Sequence, residues 1–459
     1  MDQIDENDPL LRKQEDVSSE SSDGEFSLKQ PDVNDADFET STQYVSWKRW
    51  LMLLLLSLTT MMCALIYVTY SPISKMVVYF YSIDIELVNW MGNMFFLSYV
   101  VLAIPASFLI EYYGLRFTII FVSLMNTGAC CFRMGGLDTT GFYFCFIGQV
   151  IGAFGNCFIL EAPAKLSMEW FPKHERAFAT SVGATMNVSG VALAFIVSTQ
   201  MVPDTNNIKL LEEGFKALYI ALLVTSLVFL IAVIALFETS DKTNSSKFDQ
   251  RDIKSHLKSF AASIRDLFTT CKFHLLLQSF VINFGLFNMF AMLLEQIVRS
   301  KYPKGHARSI GWMGFASNMV SIPAAAVFGL ILDRLKNYRF LAAFLNLMSM
   351  FLVMAFVSVL HYTTSFVSLE IIYIVFGVFG IPFFGIGLEH AAVMTAPVPG
   401  AISSAVMLVF GNFYSFLMIL VLGQGVGNGY VIESLYVMIA LYAIATTLAL
   451  FTKVEEKRH

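Results

Sequence analysis

The chain has 459 residues, of which 56% are hydrophobic and 14% are charged, and its mean hydropathy is +0.64. Soluble domains carry about 25% charged residues, so the composition excludes an ordinary soluble protein and predicts a chain that crosses a membrane several times. The net charge of −5 belongs mostly to the N-terminal tail, and we expect no nucleic-acid partner. The six cysteines lie in or beside apolar segments without zinc spacing, so we expect no disulfide framework, metal site or cofactor.

Residues 1–44 are rich in Asp, Glu and Ser, and low hydrophobicity with net negative charge predicts disorder. Inside this tail, the stretch from Glu6 to Leu11 is similar to the acidic dileucine signal that clathrin adaptors read on endolysosomal membrane proteins. The alternative is a chance match in an acidic segment. Because the tail is predicted to be cytosolic, we favour the signal, formed by Glu6, Leu10 and Leu11, and a lysosomal or endosomal membrane over the plasma membrane.

Twelve apolar segments follow, each about 20 residues long, which is enough to cross a bilayer as a helix. The first six lie near 50–70, 88–110, 117–135, 142–165, 177–200 and 215–237. The second six lie near 272–297, 309–332, 338–360, 365–388, 401–423 and 432–452. The pattern predicts an all-α membrane protein with one six-helix bundle at 45–240, a cytosolic linker at 241–270 and a second bundle at 271–459.

Basic residues predict the orientation of the helices by the positive-inside rule. Lys48 and Arg49 precede the first helix, and the basic linker and the C-terminal tail fall on the same side of the membrane. Both termini are therefore predicted to be cytosolic. Four basic residues disagree and would face outward: Arg299, Lys301, Lys304 and Arg308. They either line an outer vestibule or belong to a solvated loop, and we expect the solvated loop.

Acidic residues in the apolar segments are candidates for function, because a carboxyl group in hydrocarbon is costly. Glu161 lies in the fourth helix with Asn156, and a weaker copy of this stretch at 377–394 repeats Glu161 as Glu389. Two glutamates at equivalent places indicate a duplicated bundle. Together with Glu295 of the seventh helix, they are candidates for proton coupling or cation pairing. The alternative for each is an interhelical or loop-end contact.

Small residues in the fourth helix predict close helix packing. Gly148, Gly152 and Gly155 lie three to four residues apart, which places them on one face, where a neighbouring helix can approach closely. The segment is predicted to break at Pro163.

Two loops carry a charged turn motif. Glu111 to Arg116 follows the second helix and Asp333 to Lys336 follows the eighth, and both resemble the acidic-x-x-Gly-x-basic loop of major facilitators. That loop places an acid and a base where they pair with neighbouring helix ends in one conformational state. Gly114 relieves the turn sterically, whereas Asn337 stands where the second loop would have its glycine. The predicted conformational switch comprises Glu111, Gly114, Arg116, Asp333 and Arg334.

Further motifs stand outside the charged turns: Trp170-Phe171-Pro172, His174, Arg176-Ala177, Leu293 to Ile297, Asn89-Trp90 and Arg133-Met134. They resemble solute carrier family 49 of the major facilitator superfamily, which is the family of the feline leukaemia virus subgroup C receptors. The resemblance covers residues 45–452, and the branch of major facilitator superfamily domain-containing protein seven is the most similar. It implies two parallel six-helix repeats that rock about a site at the membrane midplane.

The receptor branch of this family carries choline and ethanolamine and has been linked to haem. The resemblance places Tyr67 at that branch's tryptophan on the first helix and Asn288 at its tyrosine on the seventh. Asn412 and Val188 take the places of its two glutamines. An ammonium ion is bound over aromatic faces. Tyr67 therefore keeps one aromatic wall of such a site, whereas Asn288 replaces another aromatic wall by an amide. Two phenylalanines, Phe284 and Phe287, lie near enough in sequence to Asn288 to compensate.

We therefore expect a transporter that moves a small organic solute by alternating access, with the solute near Tyr67, Asn156, Asn288 and Asn412. The substrate class that we favour is a choline- or ethanolamine-like amine. The alternatives are proton-coupled lysosomal export of a pyridoxine-like vitamin, haem-related transport, and a receptor or scaffold that does not transport. The context of the dileucine is similar to the pyridoxine-exporting branch, whereas the polar residues kept in the helices argue against a scaffold. We expect a monomer in the lipid bilayer. We do not expect an enzyme, because no motif positions a nucleophile.

Overall fold

The computed structural model describes residues 47–160, 162–239, 262–269, 271–303, 305–363, 365–395, 398 and 400–452. Several predictions concern residues outside this set. These residues are Glu6, Leu10 and Leu11 of the sorting signal, Glu161 of the fourth helix, and Lys304 of the basic loop.

Each predicted span has its helix, and we number the spans in chain order. The first half contains α1 (Lys48–Tyr81), α2 (85–113), α3 (115–134), α4 (Phe142–Trp170), α5 (Arg176–Met201) and α6 (Ile208–Leu236). The second half contains α7 (Cys271–Lys301), α8 (Ala307–Leu335), α9 (Tyr338–Tyr362), α10 (Phe366–Met394), α11 (Gly400–Gly427) and α12 (Val431–Phe451). The first span runs past its predicted end through a 3-10 turn at Ser71–Ile73.

The turn at Gly114 makes two membrane spans out of one helical stretch. Ile85–Met134 contains 50 residues and as one helix would measure about 75 Å, more than twice the thickness of a bilayer core. Gly114 has φ 80° and ψ 169°, a backbone region that favours glycine. Glu111 and Arg116 flank it and are exposed. The turn is where the sequence predicts it, and eleven long apolar helices thereby provide twelve spans.

The second copy of the turn uses a different residue from the predicted one. Lys336 has the positive φ, 50°, and it lies three residues after Asp333, as Gly114 lies three residues after Glu111. Asn337 has φ −111°, and its side chain accepts a hydrogen bond from the Phe340 backbone N–H at 3.2 Å. The expectation that Asn337 replaces the glycine is therefore wrong, because Asn337 caps the start of α9.

Breaks occur in both α4 and α10. The first piece of α4 ends at Ile159 and the second begins at Ala162, so Pro163 lies in a first helical turn, where its missing N–H costs nothing. In α10, Gly380 ends one piece and Pro382 begins the next. The shared break supports a duplication. Glu389 lies about two turns beyond the break of α10. Glu161 lies outside the described residues, so the equivalence of the two glutamates stays a prediction.

The glycine face of α4 packs closely against α3, as predicted. A Cβ atom at Gly148 would lie 2.7 Å from the backbone oxygen of Ala129, and one at Gly155 would lie 2.8 Å from the Cβ of Met125. At Gly152 the nearest atom would be Ile66 Cγ2 of α1, at 2.9 Å. These distances are shorter than ordinary van der Waals contacts, so the three helices pack this closely only with glycine.

The hydrophobic cores show how the two halves meet. Because the helices alternate in direction, Lys48 and Thr452 lie at the same face, which we call the terminal face, and the opposite face is the far face. Toward the far face, both halves contribute to one core, in which Phe195 of α5 and Met313 of α8 take part. Toward the terminal face, each half has its own core. In the part of the chain that the structure describes, Leu408 and Val409 are the second-half residues that pack on the first-half core.

We predict opposite effects for two glycine substitutions. Gly148→Ala should destabilise the fold by about 1–3 kcal/mol through overpacking. The matched control is Gly329→Ala in α8, where a Cβ atom meets nothing within 4 Å and should add up to about 1 kcal/mol of stability. Unfolding midpoints of the purified variants in one detergent measure both effects. Equal shifts for the two variants would contradict the close packing of α3 and α4.

Candidate functional site

Tyr67 of α1 forms an aromatic wall with two rings of α2. Its ring centroid lies 5.0 Å from that of Phe95 and 5.6 Å from that of Phe96. The side chain is half-buried. Within the described residues its hydroxyl has no hydrogen-bond partner, and the hydroxyl oxygen is not fully buried. Phe95 and Phe96 are buried, so the accessible ring of this wall is that of Tyr67, which could offer its face to a cation together with a free hydroxyl.

Asn288 of α7 and Asn412 of α11 lie on facing helices of the second half. The Asn288 Nδ2 donates to the Phe284 carbonyl at 2.9 Å and to the Ser415 Oγ at 3.2 Å. The Asn412 Nδ2 donates to the Leu408 carbonyl at 2.7 Å. Ser415 follows Asn412 by three residues, which places both on one face of α11. Asn288 is thus bonded to the face of α11 that carries Asn412, and within the described residues both Oδ1 atoms remain free to accept.

The two phenylalanines near Asn288 belong to stacked groups. Phe284 stacks on Phe280 at 5.8 Å and on Phe384 at 5.6 Å, and Phe287 stacks on Phe376 at 5.7 Å. Both Phe284 and Phe287 are half-buried. The second half therefore has aromatic surface beside its amides.

The four predicted site residues are not all linked by contacts. Asn156 of α4 is half-buried and has no hydrogen bond within the described residues. Tyr67 packs against α2 and Asn288 against α11, and no hydrogen bond joins these two side chains. Their assignment to one site remains a prediction, supported by four polar groups that keep hydrogen-bonding capacity in apolar helices.

At the far face, a buried ion pair of α7 binds two residues of the first half. The Glu295 carboxylate is 1% exposed and pairs with Arg299 one turn later on α7. From the first half, the Ser74 hydroxyl donates to the other oxygen of Glu295, and Asp204 pairs with Arg299 at 3.2 Å. The far-face end of α1 and the loop after α5 are thereby bound to α7.

Hydrogen bonds between uncharged groups also join the two halves at the far face. The Ser71 hydroxyl donates to the Met292 carbonyl at 2.6 Å, and the Gln296 Nε2 donates to the Asn89 Oδ1 at 2.6 Å. At the terminal face, the ion pairs found in the described part of the chain stay within one half, as between Lys48 and Glu238 at 2.8 Å. The two halves are therefore bound to each other at the far face, whereas the ion pairs of the described residues at the terminal face do not join them.

The far-face cations differ from the expected solvated loop. Arg299 is 7% exposed and ion-paired. The Lys301 Nζ donates to the carbonyls of Val359 and Thr363. Only Arg308 among the described three is exposed. The expectation is wrong for Arg299 and Lys301, because these cations bind protein groups and are not free in a loop.

The remaining glutamate candidate is accessible at the terminal face. Glu389 is exposed, and its carboxylate accepts a hydrogen bond from the Tyr338 hydroxyl at 3.1 Å. The neighbouring His390 is buried, with its ring stacked on Tyr338 at 5.5 Å. Glu389 is thus in a loop-end contact, while Glu295 is in an interhelical one.

Sequence reasoning missed the environment of Arg133, which is fully buried in the first half. Its guanidinium donates to the Ile66 carbonyl at 3.0 Å and to the Gln149 Oε1 at 2.7 Å, and it lies 5.1 Å from the centre of the Tyr70 ring. Within the described residues no carboxylate pairs with it. Neutral oxygens and one ring therefore stabilise this charge. An arginine inside an apolar segment is itself a signal that could have found it.

Comparisons with known proteins agree with this fold. The sequence profile of the Major Facilitator Superfamily matches residues 52–398. The human choline/ethanolamine transporter FLVCR2 is 25% identical over 389 residues, which are 84% of this chain and 73% of that protein. Solute carrier family 49 member A3 of Danio rerio is 27% identical over 381 residues, 82% of this chain and 78% of that protein.

A solved structure of a bacterial homologue of the human lysosomal transporter Spinster, inward-facing and unoccupied, superimposes with a TM-score of 0.66. The superposition covers 89% of this chain and 97% of that chain at 12% identity. A likeness at this identity concerns the fold alone.

We predict that Arg299→Met opens the far face, because removal of one partner of a buried ion pair costs about 3–5 kcal/mol. The reporter is Ser71→Cys in a Cys131→Ser background, since Cys131 is an exposed native thiol. Labelling by a membrane-impermeant maleimide should rise at least about tenfold, which corresponds to about 1.4 kcal/mol. The control Lys301→Met removes a charge from the same helix but from contacts within one half. Equal labelling of the two variants would refute the closure.

Proposed function

The chain belongs to the major facilitator superfamily and, within it, to solute carrier family 49, and from this premise we propose that it transports a choline- or ethanolamine-like amine. The observation that carries the proposal is the aromatic wall of Tyr67, Phe95 and Phe96 with its free hydroxyl. A cation is attracted to such ring faces. Choline/ethanolamine transport, the function of the human relative FLVCR2, agrees with this chemistry.

The amides of the second half complete the proposed site. The free Oδ1 atoms of Asn288 and Asn412 would accept hydrogen bonds from the hydroxyl or ammonium of an amino alcohol. Asn156 would supply a further polar group from α4. Because Asn288 replaces an aromatic residue of the receptor branch, we expect the site to select a donor-bearing amine more strongly than a fully methylated one.

The arrangement of the halves supports alternating access with the terminal face in the cytosol. The positive-inside rule favours this orientation, with Lys48 and Arg49 at the terminal face. The conformation described, closed at the far face, would then be the one that gives access to the cytosol. To face the other side, the protein must break the contacts of Glu295 with Ser74 and of Arg299 with Asp204, so we assign Glu295 to closure first. Glu389 and Glu161 remain the candidates for proton coupling.

Two other substrate classes stay as alternatives within the same fold. The context of the dileucine favours a pyridoxine-like vitamin, and the resemblance to the receptor branch also includes haem. Uptake into cells and efflux from vesicles, measured with labelled choline, ethanolamine, pyridoxine and haem, decide between the classes. Saturable transport of pyridoxine alone would replace the amine proposal.

We predict that Tyr67→Ala reduces amine transport at least about a hundredfold, because it removes both the ring and the hydroxyl of the wall. Tyr67→Phe and Tyr67→Trp should retain much of the activity, since each keeps a ring. Uptake in proteoliposomes with matched protein amounts measures the effect. Normal transport by Tyr67→Ala would contradict the site. If Tyr67→Phe is as inactive as Tyr67→Ala, the hydroxyl carries recognition and the cation–π argument fails.

We predict that Arg116→Ala slows turnover more than it weakens substrate binding. Arg116 follows the Gly114 turn and is exposed at the terminal face, where it would pair with a neighbouring helix end in one of the two states. Comparison of kcat with the equilibrium Kd for the same amine separates the two effects. Much weaker binding with normal turnover at saturation would assign Arg116 to the site instead of the conformational exchange.

We predict that the double variant Leu10→Ala/Leu11→Ala leaves endosomes and lysosomes and accumulates at the plasma membrane. The proposal is that clathrin adaptors bind the acidic dileucine of the N-terminal tail. Imaging of tagged full-length protein with a lysosomal marker measures the change. A lysosomal location that survives the substitution, or a wild type resident at the cell surface, would remove the signal from consideration.

A further inference from the structure

The first span is interrupted immediately after Tyr67. Its α-helical part ends at Val68, and a 3-10 turn at Ser71–Ile73 connects it to a second helical piece, Ser74–Tyr81. The last four carbonyl groups of an α-helix have no partner within the helix, and here they include that of Ile66, which is fully buried. A buried carbonyl of this kind needs a donor from elsewhere in the protein. The position of Tyr67 therefore depends on what binds this helix end.

Arg133 of α3 binds the helix end both before and after Tyr67 in the sequence. Its Nη2 donates to the Ile66 carbonyl at 3.0 Å, and its Nη1 donates to the Thr69 Oγ1 at 3.5 Å. Its guanidinium carbon lies 5.1 Å from the centre of the Tyr70 ring. A positive charge is favourable at the C-terminal end of a helix, and a guanidinium presents its donors in fixed directions. One side chain thus contacts three residues around Tyr67.

Gln149 of α4 sets the direction of this guanidinium. The Arg133 Nη2 also donates to the Gln149 Oε1 at 2.7 Å, and both side chains are 0% exposed. Because one nitrogen donates to both Gln149 and the Ile66 carbonyl, the first bond fixes the orientation of the second. Gly148 gives the arginine room, since a Cβ atom there would lie 3.2 Å from the Arg133 Cγ. The end of α1 is thereby bound to α3 and α4 through one buried charge.

Packing alone does not require a charge at this position. A charge is costly to remove from water, and an apolar side chain of similar length would fill the same space. The Tyr67 hydroxyl, in turn, has no hydrogen-bond partner within the described residues that would fix its ring. The ring rests on Phe95 and Phe96, and its backbone is fixed by the contacts of Arg133 with the end of α1.

We propose that Arg133, oriented by Gln149, is a positioning residue that sets the place of the Tyr67 ring in the substrate site. Arg133 is fully buried, so it acts through the α1 backbone and not through contact with the solute. The proposal rests on the proposed function for the role of Tyr67. The position of the ring, however, can be measured without any substrate, so the two can fail separately.

The first measurement follows the Tyr67 ring itself. A fluorinated tyrosine is incorporated in place of Tyr67 in the full-length protein, and its fluorine NMR resonance is recorded in phosphatidylglycerol nanodiscs without substrate. Arg133→Met should shift or split the resonance, because the end of α1 loses its donor, and Gln149→Leu should do so to a smaller extent. The matched control is Asn126→Leu, which removes another buried contact between α3 and α1, the hydrogen bond from the Asn126 Nδ2 to the Cys63 Sγ at 3.2 Å. It should leave the resonance unchanged.

The second measurement is the equilibrium Kd of radiolabelled ethanolamine for the same variants with native Tyr67. Arg133→Met should weaken binding about tenfold, as expected for the loss of one hydrogen bond from a charged group. Arg133→Lys should weaken it less, because an ammonium group keeps a donor for the carbonyl. An effect of charge alone has the opposite sign, since loss of a buried positive charge favours a bound cation. The double variant Arg133→Met/Gln149→Leu should match Arg133→Met, because Gln149 acts through Arg133.

The outcomes separate the positioning role from the amine site. A resonance that Arg133→Met leaves unchanged, or that Asn126→Leu changes equally, overturns the positioning role, and so does tighter ethanolamine binding by Arg133→Met. Additive effects in the double variant remove Gln149 from the proposal. If the resonance moves while the ethanolamine Kd stays at the wild-type value, the positioning role stands and the assignment of Tyr67 to an amine site fails. Unfolding midpoints are recorded for every variant, and if Arg133→Met does not fold, the comparison of Gln149→Leu with Asn126→Leu decides by the same criteria.

Discussion

The contacts that the buried pair of Glu295 and Arg299 makes with the first half join the two halves of this protein at the far face. Two charges taken out of water lose several kcal/mol of solvation each, and the pair regains this only because Ser74 and Asp204 of the first half complete its contacts. The favourable energy therefore depends on both halves being in place. A contact of this kind has two states: satisfied when the far face is closed, and resolvated when it is open. That property suits a transporter, whose two conformations must be close in free energy.

The terminal face shows the complementary arrangement. Each half keeps its own hydrophobic core there, so separation exposes no large shared apolar surface. Ion pairs such as that of Arg49 with Glu175 at 2.8 Å stabilise the first half alone. Toward the far face, by contrast, close approach of α5 and α8 depends on Gly311 and Gly314, where a Cβ atom would overlap Thr199 and Phe195. The interface between the two halves is thus tightly packed at the far face, whereas each half packs independently at the terminal face.

Hydrophobic periodicity and turn chemistry were sufficient to predict the twelve spans, because membrane thickness fixes helix length and Gly114 marks its turn. The positions that sequence reasoning got wrong depend on partners distant in the chain. Arg299 and Lys301 look like loop cations until Asp204 and the carbonyls at the end of α9 are seen to bind them. Lys336 takes the left-handed conformation although its neighbour Asn337 tolerates it better, because Asn337 is needed as the cap of α9. The candidate site is predictable only in part. Periodicity predicts which helix carries a residue and how deep in the membrane it lies, but not which side chain of the other half faces it.

The interface between α2 and α11 connects the closed far face to the proposed substrate site. Asn89 and Asn93 of α2 bond to the second half through Gln296 and the Phe416 carbonyl, while Phe95 and Phe96, a few residues deeper on the same helix, pack on Tyr67. Opening of the far face would break the two hydrogen bonds and move the helix on which the Tyr67 ring rests. A solute that binds Tyr67 more tightly in one of the two conformations would therefore shift their equilibrium by its differential affinity and by no more.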